Sequence, residues 1–209
     1  MHVAVIDIGK PGKNLGWAIV GSNPASGTDL DEAIDEISDR ISRGPVALGF
    51  EAPLYVPMRS AAGDLTKARS GECVGGVNRP YSASAGSTVL VIATVVVPYV
   101  LRALRSAAPV SIATMDYRSF FSAPAGVLFF EAFVTNQKKS HDARHVEDAE
   151  LAAMHLLAML EERRPLESAI CEPECLNLLG AMMLRTGWTS DLSVLDDQCL
   201  VVRPPVGTL

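Results

Sequence analysis

Three apolar runs in this chain each end on a carboxylate: Val3-Ala4-Val5-Ile6-Asp7, Val46-Ala47-Leu48-Gly49-Phe50-Glu51 and Val127-Leu128-Phe129-Phe130-Glu131. A fourth acid, Asp148, follows His145 at the head of an amphipathic helix pattern. A carboxylate that leaves water loses much of its solvation energy unless it is paired or metal-bound. Acids that converge where apolar runs stop therefore point to a divalent cation. Asp7 falls in the strand phase of Val3 and Val5, where a core position calls for an apolar side chain. Glu51 is followed by Ala52-Pro53, which ends ladder pairing and turns the chain away. If these strands run parallel, both acids meet at their carboxyl ends, where open α/β sheets collect ligands.

His145 lies four residues before Ala149 and Asp148 four before Ala152, so both project onto the core-facing stripe of the helix. At i and i+3 they can address one point. Imidazole with carboxylate suits Mn²⁺, and carboxylates alone suit Mg²⁺. A pair of such ions bridged by a shared carboxylate, for which Asp7 is the candidate, activates water and stabilises the leaving oxygen of a phosphodiester. The expected ligands are Asp7, Glu51 and Asp148, with His145 aiding binding or proton transfer. Glu131 ranks behind them because its strand continues through Ala132-Phe133-Val134. It could instead pair with an arginine such as Arg79. The plainer alternatives are a turn cap or a Lys10 pair for Asp7, and a hydrogen bond to Glu51 or water for His145.

Basic residues gather near these acids: Lys10 and Lys13 follow Asp7, Arg79 follows Glu51, and Lys138, Lys139 and Arg144 precede Asp148. Acids crowd residues 29–39 instead. The asymmetry favours an anion at the site, so Lys10, Arg79, Lys138, Lys139 and Arg144 are the expected substrate contacts. Gly9-Lys10-Pro11-Gly12-Lys13 is not a Walker loop, because the Gly-Lys-Ser/Thr ending and the following helix are absent.

Hydrophobic periodicity supplies the elements that must position these residues. Residues 3–8 are apolar on both faces apart from Asp7, the mark of a central strand, and the run at 15–20 returns through a short loop as its antiparallel partner. Residues 22–27 read as a turn cluster. A helix is predicted over 29–41, with Leu30, Ala33, Ile34, Ile37 and Ile41 inward and an acidic face outward. Residues 52–87 hold many prolines and glycines without a period, the pattern of a functional or mobile loop. Further predictions are a buried helix over 88–107 with Pro98 as a kink, strands at 110–115 and 127–134, and a helix from about 143 to 162. A Met-rich helix at 176–184 and a strand at 198–202 complete the order. This mixture suits an α/β domain with a mixed sheet, flanked by helices on both faces.

At 209 residues and 48% hydrophobic, the chain can build one sizeable core, so a single domain is expected over 1–209 with 166–209 as a C-terminal extension packed on it. A net charge of -6 and a pI near 5.2 disfavour coating of nucleic acid through bulk electrostatics and leave only a local basic patch. Cys73, Cys171, Cys175 and Cys199 follow no C-x-x-C spacing and are expected as reduced thiols in a cytoplasmic protein. A strand pattern beginning at His2 leaves no room for a secretory signal. The most apolar stretch, 89–101, is shorter than the roughly 20 residues a bilayer needs, so no membrane span is expected. A homo-oligomer is compatible with this composition.

The strand Val5-Ile6-Asp7-Ile8-Gly9 with Leu15-Gly16-Trp17-Ala18 after it, the strand ending in Glu51, and His145-Val146-Glu147-Asp148-Ala149 resemble the RNase H-like superfamily. Its closest pattern is the RuvC-type Holliday-junction resolvase and the related nuclease domain of RNA-guided endonucleases. Glu51-Ala52-Pro53-Leu54 and the Glu131 strand look more like an uncharacterised branch of predicted RNase H-like nucleases. The resemblance covers roughly residues 1–163 and implies an RNase H-like mixed sheet with an N-terminal antiparallel hairpin. It also implies Asp7, Glu51, His145 and Asp148 as metal ligands or their neighbours, Mg²⁺ or Mn²⁺ as cofactor, and nuclease activity on a nucleic acid. One superfold hosts many activities. A non-catalytic binding domain with a structural ion is the main alternative, and an actin-like phosphotransferase, whose turn resembles Asp7-Ile8-Gly9, is the other.

Overall fold

Alternation along the first strand sets the layers of the molecule. In the computed structural model, which describes residues 1–74, 77–78, 80–134, 144–162 and 164–205, β1 (His2–Asp7) lies at the middle of the sheet. Ala4 and Ile6 enter one apolar cluster, and Val3 and Val5 enter another on the opposite face. β1 pairs antiparallel with β2 (Gly16–Val20), and β2 pairs antiparallel with β3 (Ala25–Gly27). The β3 residues were expected only as turn. Gly21 and Asn23, both at positive φ, turn the chain early enough to leave Ala25–Gly27 against Trp17–Ile19. Ala-Ser-Gly has no side-chain alternation to announce a strand, and backbone pairing at the sheet edge makes it one.

The helix α1 (Leu30–Arg43) carries the chain across one face, started by Asp29, whose carboxylate accepts the amides of Asp31 and Glu32, both at 2.9 Å. It delivers β4 (Val46–Glu51), which pairs parallel with β1. β5 (Tyr55–Pro57) then leaves the main sheet to pair with β10 (Cys175–Asn177), and β6 (Cys73–Val74) and β7 (Val77–Asn78) form a small ribbon. α2 (Ser84–Ala107) precedes the short β8 (Ala113–Thr114) and α3 (Tyr117–Ser122). β9 (Val127–Ala132) pairs parallel with β4, while β8 and β11 (Val201–Val202) share its other edge. α4 (Arg144–Glu161) and α5 (Leu178–Thr186) complete the elements. The result is an α/β fold around a seven-stranded mixed sheet. α1, α2 and α5 pack on one face, α3 and α4 on the other.

α2 begins four residues before its predicted start and runs through Pro98. With 24 residues and a mean hydropathy of 2.0 over its apolar window, it is long and apolar enough to cross a membrane, which the shorter stretch in the sequence was not. Its inner face, including Val97, Val100, Leu101 and Leu104, is buried in the core, and Trp188 donates its indole N–H to the Leu101 carbonyl at 2.8 Å.

The described residues of 52–83 contain little regular structure, yet they are fastened to the core by buried ions. Arg69 donates to Glu131 of β9 through both terminal nitrogens, at 2.6 and 2.9 Å, and its Nε donates to Glu72 at 2.7 Å. All three side chains have no solvent exposure. Desolvation works to lower the pKa of Arg69, and the Glu131 and Glu72 carboxylates more than offset it, so the guanidinium is held well above its usual value. Its plane lies over the Tyr55 ring, 4.7 Å from the centroid. Arg59 makes a second clamp on Glu172, at 2.7 and 3.2 Å.

Removing one member of a buried ion cluster is costly because it leaves a charge without compensation. Arg69→Met is therefore expected to destabilise the fold by about 3 to 5 kcal/mol in urea denaturation at neutral pH. Replacing Glu72 and Glu131 with glutamine in the same chain should recover part of that loss.

Candidate metal centre

Strand parity and register bring the acids together. β1 and β4 run parallel with Asp7 beside Glu51, and both side chains belong to the face covered by α4, the face of Val3, Val5 and Ala47. α4 lies over β1 and β2 with Ala149, Ala152 and Ala153 turned inward, and residues this small let a helix approach a sheet closely. At its first turn the approach is closer still. A Cβ on Gly16, the register partner of Asp7, would stand 2.3 Å from the backbone carbonyl carbon of His145. Gly16 thus makes the space that sets His145 and Asp148 above the ends of β1 and β4.

The outcome is a group of three carboxylates, Asp7, Glu51 and Asp148, each offering an oxygen within 4.8 Å of the others. Asp7 and Asp148 are buried and Glu51 is half-buried. His145 Nδ1 lies 2.6 Å from Asp7 Oδ2, with the imidazole about one-third exposed at 35%. Carboxylates 4 to 5 Å apart repel one another by roughly 3 to 4 kcal/mol per pair at an effective dielectric of 20. A dication among them turns that repulsion into attraction. Ligand oxygens about 2.0 to 2.1 Å from a small cation stand roughly 3 to 4 Å from one another, so the spacing fits with slight closure. Hard oxygens with one imidazole nearby suit Mg²⁺ or Mn²⁺.

Asp7 and Glu51 also line a cleft of about 80 Å³, bordered by Pro53, by Gly86 of α2 and by Phe133. Its volume is well below the 300 to 1,000 Å³ of ordinary small-molecule pockets, and neither Asp148 nor His145 is on its wall. A larger cavity of about 470 Å³ lies between β8, α3 and the 189–198 segment, with Asp116, Asp191 and Asp197 on its wall. Two of those acids are occupied as caps: Asp116 accepts the amides of Arg118 and Ser119, and Asp191 accepts that of Ser193.

Glu131 is not part of the acid group. Phe129 belongs to the α2 face and Phe130 to the α4 face, so Glu131 points to the α2 side, opposite Asp7 and Glu51. β4 and β9 are paired with Phe50 beside Glu131, which leaves Ala132 next along β9 on the α4 face and lining the cleft. Its arginine partner among the described residues is Arg69; the Arg79 considered from sequence lies outside them. His145 meets Asp7. Lys10 is exposed in the loop after β1, where its amide donates to the Asn14 side chain at 2.9 Å. Arg79, Lys138 and Lys139 lie outside the described residues, and Arg144 is described only in its backbone.

Sequence reasoning missed Gly16, Arg69 and Glu72. Gly16 carried a signal, since it stands where an apolar strand residue is expected in a run otherwise rich in large side chains. A scan against protein-family models, a search of curated proteins and a search of solved structures each return no match for this chain.

A methyl group on Gly16 must push the first turn of α4 off the sheet. Gly16→Ala is expected to cost about 1 to 3 kcal/mol and to weaken Mn²⁺ binding. Thermal melts and calorimetric titration of the same preparation check the two effects.

Proposed function

We propose that the chain is a divalent-metal-dependent phosphodiester hydrolase with an RNase H-like domain, acting on nucleic acid. The observation that carries this reading is the convergence of Asp7, Glu51 and Asp148 within 4.8 Å at the carboxyl ends of parallel strands. The strand order supports the fold part. β1 and β2 form the N-terminal antiparallel hairpin, within a mixed sheet, that the resemblance of the Asp7, Glu51 and Asp148 motifs implies. β3 adds a third antiparallel strand that the sequence did not announce.

In this proposal Asp7, Glu51 and Asp148 hold Mg²⁺ or Mn²⁺, which when bound lowers the pKa of a water and stabilises charge on a phosphoryl oxygen. Asp7 sits between Glu51, its neighbour in the sheet, and His145. Its contact with Nδ1 orients the ring of His145, the group that would pass a proton. The half-buried Glu51 and the partly exposed His145 leave one side of the group within reach of solvent and substrate. That favours an open site over a closed structural one, which encloses its ion in protein ligands. Lys10 on the neighbouring loop adds a cation for a phosphate backbone.

The metal claim and the hydrolase claim need separate tests. Calorimetric titration with Mn²⁺ should show binding by the wild type and a loss of at least tenfold in Asp7→Asn; equal binding by the two proteins defeats the site. A panel of single-stranded, duplex and branched DNA and RNA should reveal Mn²⁺- or Mg²⁺-dependent cleavage that is absent in Asp148→Asn. Metal binding without cleavage of any member would leave a binding domain in place of an enzyme.

A further inference from the structure

The acids of the centre are held from outside as well as from within their own strands. Glu51 is the last residue of β4, and the chain reverses at once: the Ala52 amide donates to the Phe50 carbonyl at 2.9 Å. Leu54 is then fixed at both its backbone groups. Its amide donates to Glu131 Oε2 at 2.8 Å, and its carbonyl accepts the amides of Leu178 and Leu179 at 2.9 and 3.1 Å. Only Ala52 and Pro53 separate the metal-facing carboxylate from that anchor.

Glu131 is in turn immobilised by Arg69, and Arg69 by Glu72 and the Tyr55 carbonyl. The remaining Glu72 oxygen accepts the amides of Arg69 and Tyr81, at 2.8 and 3.1 Å. Tyr81 leads into α2, whose Gly86 borders the same cleft as Glu51. This entry is tight, since a Cβ on Gly86 would stand 2.1 Å from the Pro80 carbonyl oxygen. One buried ion cluster is therefore bonded both to Leu54, which follows the cleft residues Ala52 and Pro53, and to Tyr81, which precedes the cleft residues Ala85 and Gly86.

We infer that the Arg69, Glu72 and Glu131 cluster is the positioning device of the metal centre, with Glu131 as the positioning residue that aims Glu51. The inference rests on the metal reading of Asp7, Glu51 and Asp148. Glu131 faces the α2 side of the sheet, away from the three carboxylates. It acts through the Leu54 amide, as outer-shell partners of metal ligands do. A cluster that served stability alone would also fasten the 52–83 segment, but its loss would leave the affinity of the folded protein for metal unchanged.

Mn²⁺ titration of the full chain well below its melting temperature separates the two roles. Glu131→Ala is expected to weaken Mn²⁺ binding by about 10- to 100-fold, the range typical of outer-shell partners. Glu131→Gln keeps an acceptor oxygen for Leu54 and should lose less. Ile37→Ala, a cavity in α1 remote from the acids, lowers the melting temperature and should leave the affinity unchanged. Amide exchange at Leu54 should accelerate in Glu131→Ala with or without Mn²⁺. Wild-type affinity in a folded Glu131→Ala, or, where the alanine variant fails to fold, wild-type affinity in Glu131→Gln despite faster Leu54 exchange, overturns the inference and spares the metal centre. Failure of the wild type to bind Mn²⁺ overturns both the metal reading and the role built on it.

Discussion

The parallel register of β1 with β4 sets Asp7 beside Glu51, and the arrangement of the site depends on that pairing. Register in a sheet is an all-or-none property, because a shift of one residue moves every side chain to the opposite face. Here the alternation is enforced along the whole length of both strands. Ala4, Ile6, Leu48 and Phe50 need the α1 and α2 layer, while Val3, Val5 and Ala47 need the α4 layer. A slip would expose these residues to the wrong layer at a cost of several buried side chains, each worth about 1.5 to 3 kcal/mol. The apolar core thus pays for the repulsion between the two carboxylates it brings together.

Small residues do the rest. Gly16 and the alanines of α4 let a helix come down on the strands at the point where the acids end. A larger residue at position 16 would push the first turn of α4, and Asp148 with it, away from Asp7 and Glu51. On the other face, Glu131 shows how the same strand-end pattern gives a different outcome. It sits one residue out of phase, meets Arg69 and becomes part of a closed ion cluster. One acid faces a cleft and the other faces an arginine because a strand has two sides.

Most of the scaffold was legible in the sequence. The central strand, its hairpin partner, α1, β9 and the inward stripe of α4 follow from periodicity alone, since each buries a whole face. The convergence of Asp7, Glu51 and Asp148 was legible because each interrupts an apolar pattern. β3 was not, since Ala-Ser-Gly pairs through backbone and carries no alternation. The place of Glu131 required the register of β9 against β4, a long-range fact. Arg69 and Glu72 looked like ordinary loop charges, and nothing local distinguishes a buried arginine from a solvated one until its partner on another strand is known.

The claim at the centre is that Asp7, Glu51 and Asp148 share one cation. Anomalous diffraction from a crystal soaked in Mn²⁺ tests it most directly. A peak within about 2.0 to 2.4 Å of an oxygen from each of the three carboxylates, with water completing the shell, is the predicted result. An empty position between well-ordered carboxylates at saturating Mn²⁺, or a peak bound only elsewhere on the molecule, would contradict it.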